Sequence, residues 1–578
     1  MNSNKQNSLS AKDTKISIIP GLVLATLQWI LWFLVPKFSA GGTATMISVF
    51  GGLAFGIFII IWWLFFSRAP KLERFVAVGL MVIFLMIIPE FTHASIKTGL
   101  SGLMYYVYAV PVMTISFVLW ALAFRKIKGN MRLISMTVTI LIATGIWTLF
   151  KSDGITGNAS AQLKWRWAQS NEQLLLAETE SMLSASTESG TFDILWSGFR
   201  GNNRDGVVYN THINTNWSEN TPKELWRRPI GSGCGSFAVK GNLLFTQEQR
   251  GEEEMVSCYH LESGEPIWQH TDSARFWDSH AGAGPRSTPT LTDSLICSQG
   301  ATGIVNVMKS IDGSVLWTRN AAEDIQDTIP GWGYCSSPVI VDSILVTAIS
   351  GTLIAYNLLT GDMLWTGAEG GENYSSPHLA SIEGIKQILY SNPKGTTSFE
   401  PNTGKVLWER KWEMSAIVQP AITESGDILI SEGYKKAIHK ISVTKQNENW
   451  KIKEHWTSTN IKPDFNDLVT HKGFIYGFEG LSLTCIDLKD GERKWKNGRF
   501  GGQIILLADQ DLLIVVTEKG KLLLADANPE EFKKLAEIPA IKGKTWNHPV
   551  LVKDILLVRN MNEMVAYKLA LVTNLSSK

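Results

Sequence analysis

GEPIW (Gly264–Trp268), GSVLW (Gly313–Trp317), GDMLW (Gly361–Trp365), GKVLW (Gly404–Trp408) and GERKW (Gly491–Trp495) are one motif written five times. A weaker copy without the glycine ends at Trp456. Each reads as a turn that needs the φ > 0 conformation glycine supplies, followed by a strand carrying an indole. The copies recur about every 40–50 residues, the span of one four-stranded propeller blade. Tryptophan at equivalent positions in successive units predicts a repeated plug between neighbouring blades.

A second marker falls between the tryptophans. Short apolar strands open at Ser-Thr-Pro289, Ser-Ser-Pro338, Ser-Ser-Pro377, Val-Gln-Pro420 and Asn-His-Pro549, each followed by a turn and another apolar strand such as DSLICS (293–298) or DSILVT (342–347). Inner strands then begin near Gly233, Ser287, Ser336, Ser375, Val418, Asp467, Gln503 and Asn547, which makes eight blades. The eighth lacks an outer strand of its own. KELWRR (Lys223–Arg228), upstream of the first blade, is expected to supply it, so that an N-terminal strand closes the ring and protects its edges.

Working outward, the repeats occupy 191–578, and the region before Phe150 is of another kind. Apolar stretches run over Ile16–Val35, Met46–Phe66, Phe75–Pro89, Leu103–Phe124 and Leu133–Phe150, with no Asp, Glu, Lys, Arg or His inside them. A spanning helix needs ~20 such residues, so 1–150 reads as a transmembrane bundle of about five helices in a lipid bilayer. Lys5, Lys12 and Lys15 precede the first stretch, Arg68, Lys71 and Arg74 the third, and Arg125, Lys126, Lys128 and Arg132 the fifth, while the alternate loops carry only Lys37 and Lys97. The positive-inside rule then puts the N-terminus in the cytoplasm of a bacterial inner (plasma) membrane and the propeller on the periplasmic side. Spans without ionisable groups favour an anchor over a transporter. Between the two regions, 151–190 is expected to be an amphipathic helical linker, with Leu174, Leu175, Leu176 and Leu183 on one face.

Formal net charge is +1 with 19% charged residues, a balance that points away from nucleic acid. Cys234, Cys258, Cys297, Cys335 and Cys485 form no CxxC or CxxCH spacing, which leaves zinc ribbons, thioredoxin-type chemistry and c-type haem unsupported.

These repeats resemble the pyrroloquinoline-quinone (PQQ)-type propeller family, with which the chain shares the opening motif WSGFRGNNRDG (Trp196–Gly206) and the segment Gly284–Pro289. The resemblance runs from about Gly154 to Leu569 and implies a propeller outside the cytoplasm. It leaves two functions open. One is a binding platform that recruits a protein or polymer partner at the propeller mouth. The other is a quinoprotein dehydrogenase, as in the membrane-bound glucose dehydrogenases, with PQQ and Ca²⁺ as cofactors and electrons passing to membrane quinone. Such enzymes sandwich the quinone against a disulfide of adjacent cysteines, and no Cys-Cys pair occurs here. The platform is therefore the favoured reading.

Loops leading into inner strands ring the channel mouth, where ligands dock on propellers. They offer Arg286, Trp332, Tyr334, Asn373, Tyr374, Gln419, Gln503, Asn547 and His548 as cofactor-binding candidates, and Asp467 as the one acid able to act as catalytic base. Arg286 could fork onto a carboxylate or phosphate, and Trp332, between Gly331 and Gly333, could line a pocket. Asp272, Asp278 and His280 in the insertion before Arg286 read as a solvated loop, and no metal site is assigned.

Overall fold

The computed structural model describes residues 17–35, 42–127, 129–155, 161–168, 172, 175, 192–412, 416–433 and 436–572. The chain divides into two compact units, Met1–Ala168 and Gln169–Lys578.

The first unit is a helical bundle. Among the described residues, four helices are long and apolar enough to cross a membrane: Thr45–Phe66, Lys71–Phe91, Met104–Ala123 and Asn130–Leu149. The apolar helix Ile19–Leu34 is shorter. Their shared core contains Trp63, Phe117 and Trp120, with the Trp63 and Phe117 rings 4.7 Å apart. Gln28, fully buried, donates to Gly52 O (2.7 Å) and accepts from Thr114 (2.8 Å), so three helices share one polar link. The helices starting at Lys71 and Asn130 begin earlier than the apolar stretches expected there, and their first turns bring in a buried Glu73–Arg132 pair at 3.3 Å. The bundle is thus not free of ionisable groups. The start of the expected helical linker is corrected over 150–165, while Glu172 and Leu175 further on are helical. Phe150–Ile155 and Ala161–Trp165 pair as an antiparallel hairpin, because the alternating Ala161-Gln-Leu-Lys-Trp165 suits a strand on one face. Leu174, Leu176 and Leu183 lie outside the described residues.

The second unit holds eight blades, each built on four antiparallel strands. Blade one is Ala238–Asp272 and blade two Thr290–Asn320. Blade three is Val339–Gly367, blade four His378–Lys411 and blade five Ala421–Ser458. Blade six is Val469–Asn497 and blade seven Gly502–Pro539. Blade eight joins Val550–Lys568 to Lys223–Pro229. Strands in the middle of a blade face a neighbour on both sides, so Ile344–Ile349 and Leu512–Thr517 are buried along their whole length.

The repeated motif now has a physical reason. Gly313 opens its turn at φ +72°, and a Cβ there would stand 2.5 Å from the indole of Trp268 in the preceding blade. That indole donates to Ser310 O (3.2 Å), just before the turn. Trp226, Trp317 and Trp365 bond Leu261 O, Leu358 O and Pro401 O in the same way, each at 2.9 Å. Tryptophan and glycine therefore belong to one contact, made between a blade and its successor. Trp408 departs from the pattern. The next blade has no glycine turn there, and its indole bonds Gln387 of its own blade instead (2.8 Å).

The Ser/Thr-Pro marker is a second latch. Ser236 N donates to Thr288 Oγ1, Thr288 N to Ser337 Oγ and Ser337 N to Ser376 Oγ, each at 2.9 Å. In blades two, three and four one hydroxyl thus satisfies one amide of the preceding blade.

Closure by an N-terminal strand requires correction. No sheet among the described residues closes on itself through hydrogen bonds. Lys223–Pro229 does pair with Glu563–Lys568, but as the outer strand of an open four-stranded blade. Blade eight meets blade one through side chains, Trp226 against Gly264 and Tyr259, Leu261 and Ile230 in a common core with Val565 and Tyr567. Twist turns each sheet away from the next, so the ring joins by packing.

Candidate functional site

The segment Trp196–Gly206 occupies the channel. Ile194–Trp196 pairs with the inner strand of blade one, and Val207–Val208 pairs in parallel with the inner strand of blade seven. The chain between them crosses the ring and is fixed by two arginines. Arg200 donates to Leu468 O (2.6 Å) in blade six and to Asp205 O (2.8 Å). Arg204 donates to Pro338 O (2.9 Å) and Ser337 O (3.1 Å) at blade three and faces Gln419 at blade five. Arg200, Arg204 and Asp205 were passed over in the sequence. Their signal was two arginines in a Gly/Asn-rich run too polar for a strand, legible only once the channel is known to need filling.

This plug sets the state of Asp467. Its carboxylate lies 3.8 Å from Arg200 and 3.6 Å from His548 and accepts the Gln419 amide (3.4 Å). Burial pushes the acid up, but Arg200, His548 and that amide outweigh it and hold the group below the ordinary carboxylate range. Asp467 stands where the serine hydroxyl stands in blades three and four, and it takes the same amide bond from its predecessor. His548 lies edge-on to Phe199 of the plug at 5.2 Å. Burial, then the nearness of Arg204 and Arg200, pushes His378 down to about 3, so its imidazole is neutral.

The remaining candidates are likewise engaged. Asn373 donates to Tyr390 Oη (3.0 Å) and Ser391 O (2.8 Å), and accepts from Ala416 N (2.9 Å) in the loop to the next blade. Gln503 donates to Phe465 O and Trp546 O, and Asn547 to Gly233 O and Gly235 O. Gln419 returns a bond to Arg204 O. Arg286 is clasped by Asp278 and by Gly282 O, Ala283 O, Gly284 O and Trp332 O, with its guanidinium 5.0 Å from the Phe276 ring. The insertion holding Asp278 is therefore an arginine cage and not a solvated loop. Trp332 and Tyr374 do meet, rings 4.7 Å apart, whereas Tyr334 is buried in the core between blades two and three. A planar quinone would need the Trp332 face and the Arg286 fork, and these are filled by Tyr374 and Asp278. Asp467, the expected base, is salt-bridged. The residues present do not fit PQQ.

What stays open lies on the other side of the plug. A cleft of about 580 Å³ runs between Ser197–Tyr209 and the inner strands of blades two to six. Thr290, Ile340, Leu379, Ile422 and Thr470 line it along the ring, and Asn202, Asn203, Tyr209 and Glu424 stand exposed at its rim. Burial first, then the charges of Asp205, Glu424 and Asp509, raise the Tyr209 hydroxyl above its ordinary value, which marks the rim as acidic.

Residues 252–497 match a family model described as Outer membrane protein assembly factor BamB. The BamB of Shewanella oneidensis is 22% identical over 383 residues, covering 61% of this chain and 89% of the relative. That of Yersinia pestis is 24% identical over 342 residues, covering 56% and 75%. Among solved structures, the quinohemoprotein alcohol dehydrogenase of Comamonas testosteroni aligns with a TM-score of 0.50 at 11% identity, over 71% of this chain and 85% of its own. The propeller is similar to the PQQ-like repeat family over residues 252–497. At such identity the dehydrogenase shares the fold alone, as expected of a superfold that carries many functions. The same comparisons overturn one expectation from loop charges. Both relatives are named for the outer membrane, and the placement as an inner-membrane, multi-pass protein with a cytoplasmic N-terminus is withdrawn.

Proposed function

We propose that the PQQ-like propeller is a binding platform of the cell envelope that holds a protein or polymer partner on its channel face, as the assembly-factor relatives suggest by name. The plug carries this reading. It consumes the channel and its ionisable groups as internal fastenings, while an open cleft bordered by exposed Tyr209, Asn202 and Glu424 remains beside it. Recognition there needs shape and hydrogen bonds but no reacting centre.

The test is photo-crosslinking from a benzophenone side chain placed at Tyr209 in the full chain, with exposed Lys386 on the second strand of blade four as the control position. Crosslinks to one discrete partner from position 209 and not from 386 support the platform. In parallel, the full chain is titrated with PQQ and Ca²⁺ under Trp fluorescence. Saturable, Ca²⁺-dependent binding with alcohol- or sugar-dependent dye reduction would replace the platform by a dehydrogenase.

A further inference from the structure

The sheets of blades one and seven have five strands, and the fifth in each comes from the plug. Ile194–Trp196 lies on the inner strand Ala238–Lys240, and Val207–Val208 on Gly502–Leu507, where Leu506 N donates to Gly206 O (2.9 Å). In blade two Leu291 N likewise donates to Ser197 O (2.8 Å). The chain thus adds extended peptide to its own inner edges along one arc of the ring. Along the facing arc, Val339–Val341, His378–Ile382, Ala421–Ile422 and Val469–His471 each end their sheet with a neighbour on one side only. Those four strands form the wall of the cleft.

We propose that the cleft accepts an extended polypeptide segment as an added strand on the inner edge of blade four, His378–Ile382. Several observations select this edge and this occupant. It is the longest of the four, with five residues, a run of ~16 Å at the rise of a strand. The part-buried side chain of Leu379 on this strand and those of Ile340 and Ile422 on the neighbouring blades suit alternate apolar residues of a guest. Asp205, Glu424 and Asp509 cluster near Tyr209 at the rim and suit a lysine or arginine at one end of the guest. Main-chain bonds supply affinity and the alternating pockets choose the sequence, as in strand addition generally. The plug shows the same recognition inside the molecule, by peptide backbone and not by sugar, so the guest is a polypeptide segment. The inference rests on the platform reading and names the kind of partner it takes.

Hydrogen exchange on the full chain in detergent micelles tests it, with a short synthetic peptide alternating valine with lysine or threonine as the probe. At ten times its dissociation constant, exchange of channel-facing amides in 378–382 should slow about tenfold, with no change in the outer strand Val406–Lys411. The same peptide N-methylated at alternate residues, which cannot complete a ladder, should give no protection. Glu424→Lys, an exposed change, should weaken the basic probe and strengthen one with glutamate in place of lysine. Equal protection by the N-methylated peptide, or protection confined to other blades, overturns strand addition. If the probe fails while crosslinks from position 209 persist, the platform stands and this edge is not its contact; if both fail, the platform falls as well.

Discussion

Arg200→Met isolates the fastening of the plug. Methionine keeps most of the stem but removes the donors to Leu468 O and Asp205 O and the cation 3.8 Å from Asp467. Both side chains are nearly inaccessible, 1% for Arg200 and 6% for Asp467, so water cannot repair the loss. Removing one member of such a buried pair costs about 3–5 kcal/mol, several times the worth of a surface pair. The penalty depends on pH with a definite sign. In the unaltered protein Asp467 lies below its unfolded value of about 3.9, so it contributes stability above that pH, lost as pH falls through the folded value. In Arg200→Met burial dominates, opposed by His548, the Gln419 amide and the more distant Arg204, and the folded value moves up. The carboxylate then destabilises at neutral pH, and protonation relieves it as pH falls. Urea unfolding of the full chain under Trp fluorescence at pH 7.5 and pH 5 should show a penalty that shrinks at the lower pH, and Asp467→Asn should restore part of it at pH 7.5. A loss under about 1 kcal/mol at pH 7.5, or one independent of pH and of Asp467→Asn, would refute the account of plug and acid as one buried unit.

Gly313→Ala should cost about 2–5 kcal/mol, from left-handed backbone strain of roughly 1–2 and overpacking of roughly 1–3 against Trp268; in a Trp268→Phe background urea midpoints should show a smaller cost. Burial pushes the Cys258 and Cys297 thiols well up and Cys485 to about 12, so at pH 8 these three should react with iodoacetamide only as the propeller unfolds, as peptide mass spectrometry would show.

The blade count and the work of the tryptophans were legible because both depend on local patterns repeated many times. A glycine at φ > 0 and an indole four residues later leave a periodic trace along most of the chain, although not every blade meets its successor through that pair. Ser/Thr-Pro was visible as a marker but not as a latch, since a hydroxyl and the amide it satisfies lie some 40–50 residues apart. The channel was misjudged for a related reason. Polar residues just before inner strands look like a binding ring, yet the groups that engage Gln419 and His548 come from a segment more than 200 residues upstream. Only the fold brings Arg200 to Leu468. The start of the helical linker was misread where composition was weighed above alternation: Ala161–Trp165 contains good helix formers but alternates like a strand.

An eight-bladed ring presents eight inner edges to one channel, and each is an unfinished sheet. The plug finishes two and caps others with side chains: Arg204 takes the carbonyls that open blade three, and Arg200 the one that opens blade six. A single crossing segment cannot lie along every edge. Its two paired ends are fixed at blades one and seven, so it pairs as a strand only with that arc and reaches the opposite one through Arg200 and Arg204. The cleft beside blades three to six follows from that asymmetry. The repeats require an inner edge in every blade, but the position of the segment before them decides which edges remain available to a partner. Insertions or substitutions within 197–206 should therefore alter partner binding more than changes of similar size in the outer strands, which carry the tryptophans and hold the ring together.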